Sequence, residues 1–393
     1  MMRTCLEEAQ AIQAELAENR RTCHSFAEVG FDLPQTHAFV MKKLAEYGLD
    51  PKPLGRCGVT CTLGRPGRTI LLRADMDALP MPDHTGEPFA AANGHCHSCC
   101  HDCHTAMLLG AAKLLKEHEG ELKGTVKFMF QPAEELLSGA LDMIDAGILE
   151  DPHVDAAMGI HVMVGLPDSN AGAIRYTRGN NTNSGDSLKI TVLGKDTHGS
   201  KPETGVDAVH IAAHIVLALE EIVAREIPSA EDTVVLVGRI EGGTTCNSVA
   251  GTAVLEVSIR TCGRDERAFL LRRVEEVAKL MAQTFRGTAE VEHVYGSPAL
   301  VNDDALLDEC VAYLGEMLPE EQLYPVERMG GGEDFAMVAD RVPSVFLTLG
   351  GGTPEQGYGH ILHNPATRMD EKALAVGTAA FVQCAVRWLE EHG

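Results

Sequence analysis

Two rhythms of apolar residues alternate over roughly the first 180 positions of the chain, one suited to strands and one to helices. TCTLGRPGRTILLRADMDALP, residues 60–80, reads as a strand, an Arg-Pro-Gly turn, and a second strand that closes at Arg73. The second strand is an unbroken apolar run between turn formers, the pattern of a strand covered on both faces. TAMLLGAAKLLKEHEG, residues 105–120, has helical apolar spacing and a terminal Gly, so it predicts a helix with a C-terminal stop. GTVKFMFQPAEE, 124–135, is a strand running into a Pro-containing loop, and AAMGIHV, 156–162, is another buried strand. Alternation of this kind predicts an α/β layered domain with a mixed or parallel sheet flanked by helices. Polar clusters fall where the strands stop, which is where open α/β sheets bind ligands.

From Ser184 the rhythm changes to strand DSLKITVLG, helix GVDAVHIAAHIVLALEEIVA, strands TVVLVGRIEG and TAVLEVSIRT, helix ERAFLLRRVEEVAKLMAQTF and strand AEVEHVY. The order βαββαβ predicts an inserted ferredoxin-like α+β domain of ~110 residues. After about residue 296 the α/β alternation resumes, with a helix near 305–318, the strand SVFLTLGG and a C-terminal helix. The expected organisation is therefore a split first domain, 1–183 and 296–393, interrupted by a second at 184–295.

At 393 residues the chain suits two or three domains of roughly 150 residues each. Asp and Glu number 57 against 33 Lys and Arg, a net charge of -24. That charge repels phosphate backbones and anionic lipid, so no nucleic-acid or membrane partner is expected. The opening MMRTCLEEAQAIQAELAENRR is an amphipathic, acid-containing helix pattern without a signal peptide's apolar core. No stretch approaches the ~18 apolar residues of a membrane span. These features predict a cytoplasmic protein, where 12 cysteines are thiols or metal ligands sooner than disulfides.

Residues 95–104 read HCHSCCHDCH. Structural zinc sites separate their ligand pairs by ~12–20 residues so that the chain can fold back, whereas Cys96-x-x-Cys99 and Cys100-x-x-Cys103 abut. A thioredoxin-like motif would need a strand leading into the CxxC and a helix leaving it, and no matching unit precedes the run. The remaining reading places Cys99-Cys100-His101-Asp102 in a loop entering the next helix. Cys99 and His101 then face one ion, and Asp102 orients a ligand histidine or bridges metals. Such a site needs donors from other strand ends. Glu134 and Glu135 in QPAEE, His161 after AAMGI, and His363 in LHNPAT occupy those positions. Singly, a glutamate pair is ordinary surface and a histidine after a strand is ordinary hydrogen bonding. Together they suggest a hydrolytic metal centre.

The segments RADMDALPM, HSCCHDCHTAMLLGAAKLL, FQPAEE, GIHV, THGSKPETGVDAV, GGTTCNSV, SIRT, GGGEDFAMV and LHNPAT arrive in the order and spacing of a known family. In them the chain resembles the metal-dependent amidohydrolases that cleave N-acyl-amino acids, in the branch of hippurate hydrolase and indole-3-acetyl-amino-acid hydrolases. The resemblance implies metal ligands Cys99, His101, Glu135, His161 and His363, with Glu134 as the catalytic carboxylate. It implies two divalent ions per subunit, Zn, Mn, Co or Ni. Asp75 falls where related branches keep an aspartate beside a ligand histidine, Arg73 takes that histidine's place, and Cys99 supplies the missing ligand. The second domain corresponds to the family's lid and dimerisation module, implying a homodimer. In it His198 matches a residue that acts on substrate, and Asn247 and Arg260 match residues that hold it.

Cys100 and Cys103 stand where the family has Gly and a small residue, Leu136 and Leu137 where it has glycines, and Glu203 where many relatives have histidine. The leucines should narrow or grease the pocket. The expected activity is hydrolysis of an N-acyl-amino acid to a carboxylic acid and an amino acid. A dipeptidase or carboxypeptidase of the same family is the alternative with the same chemistry. A metal-storage or metal-sensing protein is the alternative from another class, and it has no use for the general base in QPAEE. The extra thiols Cys96, Cys100 and Cys103 beside a metal loop further suggest an oxygen-sensitive enzyme.

Overall fold

The computed structural model describes residues 4–393 except 231 and 329, so the first three residues of the N-terminal helix pattern lie outside the described residues. The strands in chain order are β1 (Lys52–Leu54), β2 (Gly58–Gly64), β3 (Thr69–Asp75), β4 (Thr125–Gln131), β5 (Ala156–Met163), β6 (Ile174–Tyr176), β7 (Gly185–Leu193), β8 (Thr197–His198), β9 (Val234–Gly242), β10 (Ser248–Val249), β11 (Thr252–Arg260), β12 (Thr288–Ser297), β13 (Leu323–Pro325) and β14 (Ser344–Gly350). The α-helices are α1 (Cys5–Ala11), α2 (Gln13–Phe26), α3 (Pro34–Glu46), α4 (His101–Glu117), α5 (Gly139–Asp145), α6 (Ala208–Arg225), α7 (Arg264–Thr284), α8 (Asp304–Gly315), α9 (Ala336–Ala339) and α10 (Ala373–His392).

The chain forms two compact units. The first comprises Met1–Asn181, Val301–Arg328 and Asp334–Gly393. Its sheet has the strand order β1-β2-β4-β3-β5-β14-β6-β13. The four central strands, β4, β3, β5 and β14, run parallel, so their C-terminal ends gather at one edge. β3 and β14 are buried at every position, as continuous apolar runs in a doubly covered sheet should be. β3 continues past Arg73 to Asp75 because Asp75 is itself buried. Helices α4 and α10 are buried along most of their length. Leu108, Leu109, Ala111, Phe381 and Leu389 join Leu72, Phe128 and Leu347 of the sheet in one core.

The second unit comprises Thr182–Leu300 and a short segment ending at Glu333. Its antiparallel sheet has the order β12-β7-β11-β9. With α6 between β7 and β9 and α7 between β11 and β12, this is the predicted βαββαβ arrangement. Asp207 caps α6 by accepting the backbone N–H groups of Val209 and His210. The helix then buries Ala208, Ile211, Ala212, Ile215, Leu219 and Ile222 along one stripe, against Ile190, Leu255 and Leu270. Among the described residues no helix is long and apolar enough to cross a membrane.

Candidate metal centre

The C-terminal ends of the parallel strands carry the chemistry. Cys99, His101, Glu134, Glu135, His161 and His363 converge at this edge in overlapping groups. Cys99, His101 and His161 offer donor atoms within 4.8 Å of one another, and so do Cys99, Glu135 and His363, and His101, Glu134 and Glu135. Cys99 Sγ is 3.6 Å from His161 Nε2, and His363 Nε2 is 3.4 Å from Glu135 Oε1. His363 reaches the site from the loop after β14 with a left-handed backbone, φ 61, and its N–H bonds the Ser98 carbonyl at 3.0 Å.

Hydrogen bonds set which histidine nitrogen faces the cluster. His101 Nδ1 donates to the Asp77 carbonyl at 2.9 Å, and His161 Nδ1 donates to the Val162 carbonyl at 2.8 Å. Each ring therefore turns its Nε2 inward. Burial lowers the His101 imidazole, but Asp75 and Cys99 outweigh it and hold that ring well above its ordinary range, so an ion would displace a proton there. Burial, followed by the neighbouring His104, pushes His161 well below the ordinary imidazole range. His104 differs: its Nδ1 donates to Asp75 at 2.6 Å and its Nε2 accepts the Val162 N–H at 2.8 Å. With both nitrogens used, it supports the site without being a donor to an ion.

Glu134 and Glu135 sit in a tight turn between Ala133 and Leu137, both with left-handed backbone at φ 53 and 48. The Asp77 carboxylate holds that turn by accepting both glutamate N–H groups. Burial raises Asp77 above the usual carboxylate range, with the His101 hydrogen bond working against it. Of the two leucines at these positions Leu136 is exposed and Leu137 half-buried.

The cluster fits divalent ions. His101 Nε2 is buried without a hydrogen-bond partner, and Glu135 Oε1 is buried with the His363 ring 3.4 Å away and out of hydrogen-bond geometry; such atoms are costly to bury unless an ion meets them. The donors are thiol, imidazole and carboxylate, a set suited to borderline divalent metals. Burial drives the Cys99 thiol well above its ordinary range in the absence of a cation, with His101 opposing.

Three sequence expectations change. His101 and Asp102 belong to the first turn of α4, not to a loop, and Cys100 is its left-handed N-cap at φ 64. Asp102 does not orient a histidine of the Cys99 cluster or stand among its donors. Its carboxylate forms an ion pair with Arg20, Nε at 2.7 Å, and accepts from His24 Nδ1 at 2.7 Å. Consecutive helical residues point about 100° apart, so when His101 faces the cluster Asp102 faces α2; the Asp77 carbonyl does the orienting instead. Cys96, Cys100 and Cys103 are all buried, and burial pushes the Cys96 and Cys103 thiols up, which opposes the reactive thiolate that oxygen sensitivity requires.

Sequence reading missed Asp77 and His104. The signals were present: Asp77 follows Asp75 at a spacing of two, and His104 follows His101 at a spacing of three on one helix face. Arg73 is fully buried, donating to Gln131 at 2.8 Å, to Asp75 at 2.7 Å and to Asp334 at 3.2 Å. Its charge balances two buried carboxylates.

The remaining predicted residues belong to the second unit. His198 and Asn247 are neighbours there: β8 pairs with β10, and the Gly199 N–H bonds the Asn247 carbonyl at 2.8 Å. His198 is exposed, with Nδ1 2.8 Å from Ser200 Oγ. Arg260 is exposed at the end of β11.

Comparison with known proteins gives the same picture. The family model for peptidase family M20/M25/M40 matches residues 71–387. N-acetylcysteine deacetylase of Bacillus subtilis (strain 168) is 34% identical over 97% of this chain and 98% of its own length. The IAA-amino acid hydrolase ILR1-like 4 of Arabidopsis thaliana is 32% identical over 95% and 85%. The crystal structure of the Bacillus subtilis YXEP protein, described as a dinuclear metal binding peptidase from the M20 family, superposes with a TM-score of 0.79 at 31% identity, covering 97% of this chain and 99% of that one. On the match of sequence, fold and strand-end chemistry, the chain belongs to peptidase family M20/M25/M40, as a hydrolase of linear amide bonds.

Proposed function

We propose that this enzyme hydrolyses N-acyl-amino acids to a carboxylic acid and a free amino acid, with two divalent ions held by Cys99, His101, Glu135, His161 and His363. The observation that carries the reading is the pairing of two roles in one turn. Glu135 turns a buried oxygen toward the donors of Cys99 and His363, while Glu134 beside it, 3.8 Å from His101 Nε2, is assigned proton transfer. Zn, Mn, Co or Ni ions suit the donor set and would supply Lewis-acid chemistry, acidifying a water and polarising the acyl oxygen.

Glu134 takes the attacking water's proton as general base and delivers it to the leaving nitrogen as general acid. Asp77 keeps that carboxylate in place through the turn. The second unit is assigned the role of lid and dimerisation module in a cytoplasmic homodimer. His198 stabilises the developing oxyanion from the partner subunit, and Asn247 and Arg260 hold the substrate's α-carboxylate, Arg260 by its two-pronged guanidinium.

The test is a screen of acetyl, benzoyl, phenylacetyl and indole-acetyl conjugates of several amino acids with each metal supplied in turn. Release of the free amino acid from one conjugate series is the expected result. Cleavage confined to free-amine dipeptides would turn the reading to an exopeptidase of the same family. Stoichiometric metal uptake with no hydrolysis of either class would turn it to storage.

A further inference from the structure

A second set of metal-binding chemistry lies behind the Cys99–His101 segment, on side chains that hydrolysis does not use. His24 of α2 is fully buried with a carboxylate at each ring nitrogen: Nδ1 is 2.7 Å from Asp102 Oδ2, and Nε2 is 2.9 Å from Asp83 Oδ2. Ionised carboxylates only accept, so both nitrogens carry protons in the metal-free pocket. Cys96 completes a triad with them, one donor atom from each of His24, Asp83 and Cys96 lying within 4.8 Å of the other two. The Cys96 thiol is buried and has one weak contact, 3.9 Å from the Pro365 carbonyl. His97, next in the chain, is buried with its ring centroid 6.0 Å from that of His24, and neither of its nitrogens has a hydrogen-bond partner among the described residues.

We propose that His24, Asp83 and Cys96 form a further site for a borderline divalent ion such as Zn²⁺, separate from the Cys99 centre, with His97 as the available fourth donor. Imidazole, carboxylate and thiolate are the donor types structural zinc uses. The support behind the imidazole is already built: Asp102 accepts His24 Nδ1–H, the carboxylate–histidine arrangement that orients a ligand ring and turns its other nitrogen to the ion.

Charge is conserved in both states. Without an ion, Arg20 and His24 balance Asp83 and Asp102. On binding, His24 Nε2 and Cys96 Sγ each release a proton to solvent, and the two positive charges lost are those the ion brings. The buried pocket remains neutral throughout, which avoids the cost of an uncompensated interior charge. His24, Asp83 and Cys96 come from a helix, a loop and the segment just before α4. An ion there would pin that segment, which also carries Cys99 and His101, to α2.

Cobalt is the probe, since a thiolate bound to Co²⁺ gives a charge-transfer absorption that carboxylate and imidazole do not. Apo protein is reloaded with Co²⁺ as wild type, Cys99→Ala, Cys96→Ala and the double variant, and bound metal is counted by mass spectrometry. The proposal expects Cys99→Ala to keep a thiolate–cobalt band and the double variant to lose it. It also expects Cys96→Ala alone to bind one ion fewer per chain while still cleaving its N-acyl-amino acid. Asp83→Asn, close in volume and able to fill in should Cys96→Ala not fold, must lose the same ion. Absence of the band in Cys99→Ala, or its survival in the double variant, overturns the site. A hydrolytically dead Cys99→Ala protein that retains the Cys96-dependent band supports it and shows that the two centres are separate.

Discussion

Asp77 accepts the backbone N–H of Glu134 on Oδ1 at 3.0 Å and that of Glu135 on Oδ2 at 3.2 Å. Its own main-chain carbonyl takes the Nδ1–H of His101. One residue thus aligns the proposed general base, a carboxylate donor and an imidazole donor without itself facing an ion. Asp77→Asn puts an N–H₂ group against one of the two backbone donors. It should lower kcat/KM by about 10- to 100-fold, the loss usual when a residue that holds metal-binding side chains in place is changed, with weaker metal retention measured against a graded chelator. Unchanged kinetics and retention would mean that the turn holds itself.

Glu134→Gln keeps the side chain's shape and removes its basicity. Metal content should match wild type while kcat falls by ~10² or more. Steady-state kinetics beside metal analysis separates the two quantities, and normal turnover would end the general-base assignment.

Arg73 pairs with both Asp75 and Asp334 in the interior of the first unit. Arg73→Met removes the buried cation from between two carboxylates, leaving them only their hydrogen bonds, and should cost about 3–5 kcal/mol of folding stability. The denaturant midpoint of metal-free protein is the measurement; a shift equivalent to less than about 1 kcal/mol would show that the aspartates find other partners.

Among the cysteines Cys246 alone is exposed. A thiol reagent added to native protein should show one fast-reacting group, removed by Cys246→Ser. Peroxide should strip metal from the parent and from a Cys100→Ala/Cys103→Ala variant at the same rate. A second fast thiol traced to the 96–103 run would restore the redox expectation.

If His198 acts across a dimer, chains of His198→Ala mixed with chains of Glu134→Gln should recover activity, because one composite site per heterodimer regains both groups. Refolding the two inactive variants together and assaying the mixture decides it. Activity no higher than that of either variant alone would confine His198 to its own subunit or remove it from the reaction.

The ferredoxin-like insertion and the parallel core were legible because each rests on short-range periodicity. βαββαβ is an order of local patterns, and Leu72, Phe128 and Leu347 lie in apolar runs that fit only a covered sheet. Glu134, Glu135, His161 and His363 were legible because each follows or ends an apolar run, and Cys99 and His101 because they lead into the apolar helix α4. Asp102 was misread because adjacency to His101 in sequence means divergence on a helix. The Arg20 and His24 contacts to it had no signal, since pairing between residues about eighty positions apart leaves no local pattern. Cys100 shows what a departure from the family can mean: its φ of 64 is a backbone state that glycine adopts at little cost and a cysteine does not.

The proposed donors at the strand ends run from Cys99 to His363, so an unfolded chain cannot present them together. Ion binding then draws only on the folded population, and folding free energy becomes a function of free metal. At a free-ion concentration 100 times the dissociation constant a single site adds about 2.7 kcal/mol, a sizeable share of the roughly 5–15 kcal/mol that holds a typical domain. The thermal midpoint should climb with metal concentration well beyond the level that saturates turnover. Metal scarcity would then be felt as shortened protein lifetime as well as slower catalysis.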